Sequence, residues 1–226
     1  MLFQNAAASI ERYNRLCLHY NLAADAVYRE LRRSRAPFTP EYDPYLIAAL
    51  IAFDMGRMMG SGLPNRYDPD AGGFARRLHQ KLGQVQPLLD IIIHRTLFEI
   101  DLPQHANAVN QAYTILARGG EERFTERDAE FHVGATKILH FLNPELFLIV
   151  DSNAAQALKA TCGIPYRSGS QPGYSGDLYV RSLAAVKAQI TDYGIERFYA
   201  LEQGTPAMRI FDKIAFAYSA FQSESR

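Results

Sequence analysis

The sequence predicts an all-α fold, a compact multi-helix domain of about eight to ten helices. Three observations predict it. Apolar residues recur at spacings of three and four through most of the chain. No run of alternating apolar and polar residues is long enough to claim a sheet. Glycine and proline concentrate in two polar loops, residues 60–73 and 163–176, that separate helical stretches. The length of 226 residues and a hydrophobic content of 48% suit one helical domain over 1–226, and a division into two lobes would fall near residues 120–130.

The helices follow in order. Phe3 to Tyr20 carries Ala7, Ile10, Tyr13, Leu16 and Cys17 on one face. Ala23 to Ser34 carries Val27, Tyr28 and Leu31, and its end is rich in arginine: Arg29, Arg32, Arg33 and Arg35. Such a cluster is either a solvated helix end, which suits the negative C-terminal pole, or a patch for phosphate. Pro37 and Pro40 then break the chain. Asp43 to Met59 reads as a central buried helix, with Pro44 in its first turn and Asp54 and Arg57 spaced to pair. Residues 60–73 form an ordered connector and the candidate rim of a cleft.

Phe74 to Leu97 reads as one long helix kinked at Pro87, with Arg76, Arg77, His79 and Lys81 on its exposed side. Pro103 to Arg118 follows, stopped by Gly119-Gly120, and Thr125 to Glu130 forms an N-capped turn. Beyond the central stretch taken up below, the loop 163–176 holds Tyr166, Arg167 and Tyr174, and with Asp177 these could face a ligand. Asp177 to Tyr193 and Ile195 to Leu201 are helical. Thr205 caps the last helix, with Pro206 in its first turn and Met208, Ile210, Phe211, Ile214, Ala215 and Tyr218 inward. Arg209, Asp212 and Lys213 lie close on that helix and are expected to pair. The C-terminal QSESR should fray.

Charge narrows the function classes. The chain has 24 basic and 24 acidic residues, a formal net charge of zero. A general nucleic-acid binder shows a basic surplus, so any DNA contact has to come from local patches. Cys17 and Cys162 are far apart and form no metal-ligand spacing, and no HExxH, CxxC or clustered His/Asp pattern occurs; no metal and no cofactor are expected. No apolar run is long enough to cross a bilayer and no signal peptide precedes the fold, so the expected location is cytoplasmic.

Phe131 to Leu158 is the densest apolar stretch and carries the chemistry. Val133, Thr136, Ile138, Leu139, Phe141 and Leu142 mark a helix that Asn143-Pro144 stops. Leu146 to Val150 is an apolar connector, and Asp151-Ser152-Asn153 opens a further helix ending near Gly163. Lys137 and His140 share a face of the first helix, and Lys137 stands in an apolar stripe, where a lysine must find a partner or lose its charge. An antiparallel reversal brings Lys137, His140 and Asp151 toward one cleft.

The order Val133-Gly134, Lys137, an apolar helix, then Val150-Asp151-Ser152-Asn153 resembles the helix-hairpin-helix DNA glycosylase superfamily. There the hairpin reads L-P-G-V-G, a lysine follows in the bifunctional enzymes, and the aspartate of V-D-T-H opens a later helix. The hairpin here is degenerate: Phe131 and His132 replace the proline and the first glycine, and Lys137 comes one residue later. The resemblance implies that Asp151 stabilises the charge developing on the sugar and that Lys137 is the nucleophile of a Schiff base. It also implies that amides around Val133 and Gly134 hold a phosphate and that a base is flipped into the cleft. The candidate catalytic residues are Lys137, Asp151 and His140. The candidate substrate-binding residues are Val133, Gly134, Asn153, Tyr166 and Arg167. The alternatives are a non-catalytic helical interaction or scaffold protein, in which Lys137 and Asp151 only join helices, and a small-molecule enzyme with a cleft between the glycine-rich loops.

Overall fold

The computed structural model describes residues 2–33, 37–53, 73–118, 131–166 and 173–220. Those residues form ten α-helices and no strand, so the all-α class holds. They are α1 (Ala6–Leu16), α2 (Leu18–Arg33), α3 (Asp43–Phe53), α4 (Gly73–Leu89), α5 (Leu102–Ala117), α6 (His132–Leu142), α7 (Ser152–Cys162), α8 (Gly176–Tyr193), α9 (Ile195–Tyr199) and α10 (Ala207–Ala220), preceded by a 3-10 turn, Leu2–Asn5. The second half of the expected Asp43–Met59 helix, with Asp54 and Arg57, lies outside the described residues. So do 60–72, the turn Thr125 to Glu130, the expected lobe boundary, Arg35, Arg167 and the C-terminal tail.

α6 is the centre. Every residue from Gly134 to Leu142 is buried, and α6 packs against both α3 and α5. α5 in turn carries α4 and α8, and α10 closes the fold along α1 and α7. Phe131 donates its amide to the carbonyl of Ala117 at 2.7 Å, which pins the start of α6 to the end of α5. Gly134 is a glycine for a packing reason: a Cβ there would fall inside the Phe131 ring.

Leu146 to Val150 is buried without being helical. Buried backbone must still be hydrogen-bonded, and three side chains from two helices, α6 and α8, do this. The Tyr179 hydroxyl donates to the Leu148 carbonyl at 3.0 Å, the His140 ring to that of Phe147 at 2.7 Å, and the Val150 amide to Thr136 Oγ1 at 3.1 Å. Just ahead of the run, Asn143 stops α6 and its amide donates to the carbonyls of Ile93 and Arg95 at 2.8 and 2.7 Å. Its own side-chain oxygen accepts from the Glu145 amide at 2.9 Å.

Three boundaries and the setting of one side chain differ from the sequence expectation. The first expected helix is split: α1 ends at Leu16, Cys17 leaves helical geometry, and α2 starts at Leu18. The two pieces serve different neighbours, α1 packing on α10 and α2 on α3, and one straight helix could not lie along both. The long helix expected to Leu97 ends at Leu89, two residues after Pro87, and turns carry the chain to Ile100. Asn143 holds those turns through the carbonyls just named. Lys81, expected on an exposed face, is buried and donates to the carbonyls of Ile115 and Arg118 at 2.6 and 3.1 Å at the C-terminus of α5. At α10, Pro206 is the residue before the helix and not in its first turn; its carbonyl accepts from Arg209 and Ile210.

Asn143→Ala should cost about 2–4 kcal/mol, because the buried Ile93 carbonyl, the part-buried Arg95 carbonyl and the Glu145 amide lose their partner. Urea unfolding would read this as a lower midpoint with an unchanged m-value. A loss below about 0.5 kcal/mol would show that the turns after α4 do not depend on that side chain.

Candidate functional site

Lys137 sits on the second turn of α6 and is 7% exposed. Its ammonium donates to the carbonyl of Phe53, in the last described turn of α3, at 2.8 Å. An ammonium can only donate, and this bond to α3 supplies the partner that a lysine in an apolar stripe needs. Asp151 is half-buried and caps α7, its Oδ1 accepting from the amides of Asn153 and Ala154 at 2.9 Å each. The cap was legible from Asp-Ser-Asn ahead of an alanine-rich run, and Gly163 ends the helix with φ 65°, where glycine is favoured.

α10 adds a group that sequence reasoning left out of the site. Arg209 and Asp212 form an ion pair one turn apart, as their spacing suggests. Arg209 is 1% exposed; its guanidinium also donates to Tyr13 Oη at 3.1 Å and Asn21 Oδ1 at 3.0 Å. It stands over the rings of Tyr13 and Phe53, 5.2 and 5.4 Å from their centroids. Phe53 thus meets Lys137 through its carbonyl and Arg209 through its ring. Asp212 is half-buried. Burial raises its pKa and the Asp151 carboxylate adds to that, while Arg209 and Lys137 oppose it. Lys213, expected to pair within α10, instead reaches both oxygens of Glu202 at 2.7 Å and Asn14 Oδ1 at 3.0 Å.

His140 has a different role from the catalytic one expected of it. It is fully buried, and burial lowers its pKa to about 3. The Phe147 carbonyl can only accept, so Nδ1 carries the proton toward it, and Nε2 accepts from the Tyr28 hydroxyl at 2.5 Å. Both ring nitrogens are engaged; His140 is a neutral core histidine with none left for a substrate.

The expected binding residues divide similarly. Val133 is half-buried and Gly134 buried, both in the first turn of α6. Asn153 stands beside Asp151, and its carbonyl accepts from Ser219 Oγ at 2.7 Å, tying α7 to α10. Tyr166 is buried, with its hydroxyl on Ser182 Oγ at 2.9 Å, so it belongs to the core. Tyr174 packs on the Tyr166 and His132 rings, and Asp177 accepts from Asn110. Of the basic clusters, Arg33 pairs with Glu30 on the surface, and Arg76 is exposed.

A cleft of about 250 Å³ opens between α2 and the turn at 203–206, with Asp25, Tyr28, Arg29 and Gln203 in its wall. Neither Lys137 nor Asp151 lines it, but its Tyr28 lies edge-on to Phe53, with ring centroids 6.0 Å apart. Among the described residues no group of His, Cys, Asp and Glu is placed to hold a metal ion, and no helix is long and apolar enough to cross a membrane. No protein-family model matches the chain, and no curated protein or solved structure matches it either.

A histidine with a depressed pKa is neutral in the fold and takes a proton when the chain unfolds. Its contribution is complete above its ordinary value of 6.5 and is lost as pH falls from there toward about 3. Stability should therefore fall by about 1.4 kcal/mol per pH unit from this group across that window. In His140→Gln that component should vanish from the pH dependence of urea midpoints. An unaltered slope would show that His140 is protonated within the fold.

Proposed function

We propose that this chain is a helix-hairpin-helix-like DNA-binding protein that excises a base, with Lys137 as the amine and Asp151 as the carboxylate. The observation that carries the reading is the cluster itself. Lys137 of α6 holds the carbonyl of Phe53, whose ring meets Arg209 of α10, and α10 also binds, through Ser219, the Asn153 carbonyl beside Asp151. The two cations are the buried members and the two carboxylates the half-buried ones. A sugar that develops positive charge would be stabilised by the Asp151 carboxylate. DNA would be held by local arginines, since the whole chain carries no net charge.

A second reading has its own observation. Lys137 already has a partner in the Phe53 carbonyl, and Asp151 has two amide partners. Both residues would then join helices in a scaffold or interaction protein with no reaction to perform.

Two substitutions separate the readings. Asp151→Asn keeps a good cap and removes the charge. Lys137→Gln keeps an N–H for the Phe53 carbonyl and removes the amine. Borohydride trapping on duplexes carrying an abasic site, with uracil and oxidised or alkylated purines as excision substrates, should give an adduct with the natural chain. The adduct should be absent in Lys137→Gln, and excision should drop about a hundredfold or more in Asp151→Asn while its thermal midpoint holds. No adduct and no excision with the natural chain, or an adduct that persists in Lys137→Gln, would remove this function.

A further inference from the structure

The cleft between α2 and the turn at 203–206 contains neither Lys137 nor Asp151, and both of its walls are held from behind. On the turn side, the Thr205 amide donates to the Glu202 carbonyl at 3.2 Å, and the Pro206 carbonyl accepts from the amides of Arg209 and Ile210. The Glu202 carboxylate takes Lys213 and Asn14, which ties the turn to α10 and α1. Gly204 lines the cleft with φ 77°, where glycine is favoured, and a Cβ on it would meet nothing within 4 Å. On the α2 side, Tyr28 is buried and its hydroxyl is engaged by His140. The walls are therefore set before anything binds, and little ordering is left for a ligand to impose.

Two charges stand at the rim. Asp25 and Arg29 are exposed and line the cleft one turn apart on α2. At i and i+4 their Cβ atoms are about 5–6 Å apart, a spacing at which an aspartate and an arginine commonly pair. Here neither side chain makes a hydrogen bond or an ion pair with any described residue. A simple anion in the cleft would be repelled by Asp25, and a simple cation by Arg29. A molecule that carries both charges satisfies both residues at once. The volume of about 250 Å³ lies below the roughly 300–1,000 Å³ of sites that enclose drug-sized ligands, so the occupant is small. Tyr28 and Pro206 supply apolar wall beside the charges, and Gln203 and Thr205 supply polar wall.

We infer that this cleft binds a free α-amino acid. The Arg29 fork takes the carboxylate, Asp25 takes the ammonium, and the ligand's side chain lies against the Tyr28 ring and Pro206. No bond is made or broken in this binding, and the inference holds whether or not the chain acts on DNA.

The test is a titration of the full ¹⁵N-labelled chain with the common L-amino acids in turn, read at the amide signals of Asp25, Arg29 and Gly204. Acetate and methylammonium serve as probes of one charge each. At least one amino acid should move all three signals to saturation and bind about tenfold or more tightly than either single-charge probe. Asp25→Asn and Arg29→Gln alter exposed side chains that have no bonded partner, so the fold should hold. Each should weaken the binding about tenfold or more. Signals that no amino acid moves overturn the inference. So does acetate or methylammonium binding as tightly as the best amino acid, which would make the cleft a site for one charge. An affinity that either variant leaves unchanged overturns it as well.

Discussion

A buried guanidinium is the constraint on which the rest of this structure depends. Arg209 cannot be deprotonated, and an unpaired charge in the interior is far more costly than a hydrogen bond is favourable. It therefore has to be met from every side at once, and the partners come from different parts of the chain: Asp212 from α10, Tyr13 from α1, Asn21 from α2 and the Phe53 ring from α3. Asn21 passes the network on to Asn14, and Asn14 to Glu202 and Lys213. The N-terminal helices are thereby joined to the C-terminal one through a set of directional bonds with few alternative arrangements. Buried ion pairs add little net stability when weighed against apolar residues of the same size, but losing one partner is severe. The network's contribution is thus best understood as fixing which helices meet.

A second constraint lies in the connector between α6 and α7. Five consecutive apolar residues run through the core without a helix to satisfy their backbone, and Thr136, His140 and Tyr179 supply the missing bonds. Two of those three are polar residues of α6 that the apolar face of the helix does not explain. Their positions follow from the connector, whose course in turn sets Asp151 at the start of α7. The candidate carboxylate is therefore held by the same bonds that make the buried connector possible.

Much of the architecture was legible. Periodicity located the helices, and Asp151 and Gly163 gave both ends of α7, because local capping chemistry decides a helix end. What was not legible depends on contacts between distant residues. Nothing near Cys17 announces a break; α1 and α2 part because α10 and α3 lie in different directions. Nothing near Ile93 announces turns, because Asn143, fifty positions away, organises them. Lys81 looked solvated until the end of α5 was placed beside it. The site shows the same division. Lys137 and Asp151 were visible as odd residues in apolar or capping positions. Asp212 was visible only as an i,i+3 partner of Arg209, and the meeting of Arg209 with Tyr13, Asn21 and Phe53 is a property of the fold. His140 was misplaced because a histidine beside a lysine on one helical face looks the same in sequence whether its nitrogens are free or taken.

Lys137 is the point at which structure and proposed chemistry meet, since the same amine that donates to α3 is asked to react with a sugar. The most direct measurement is a structure of the chain bound to a duplex holding a non-reactive abasic-site analogue. The account predicts the sugar's anomeric carbon about 3–3.5 Å from Lys137 Nζ, with the Asp151 carboxylate against the same sugar. A duplex seated on another face, with Lys137 still donating to the Phe53 carbonyl, would contradict it.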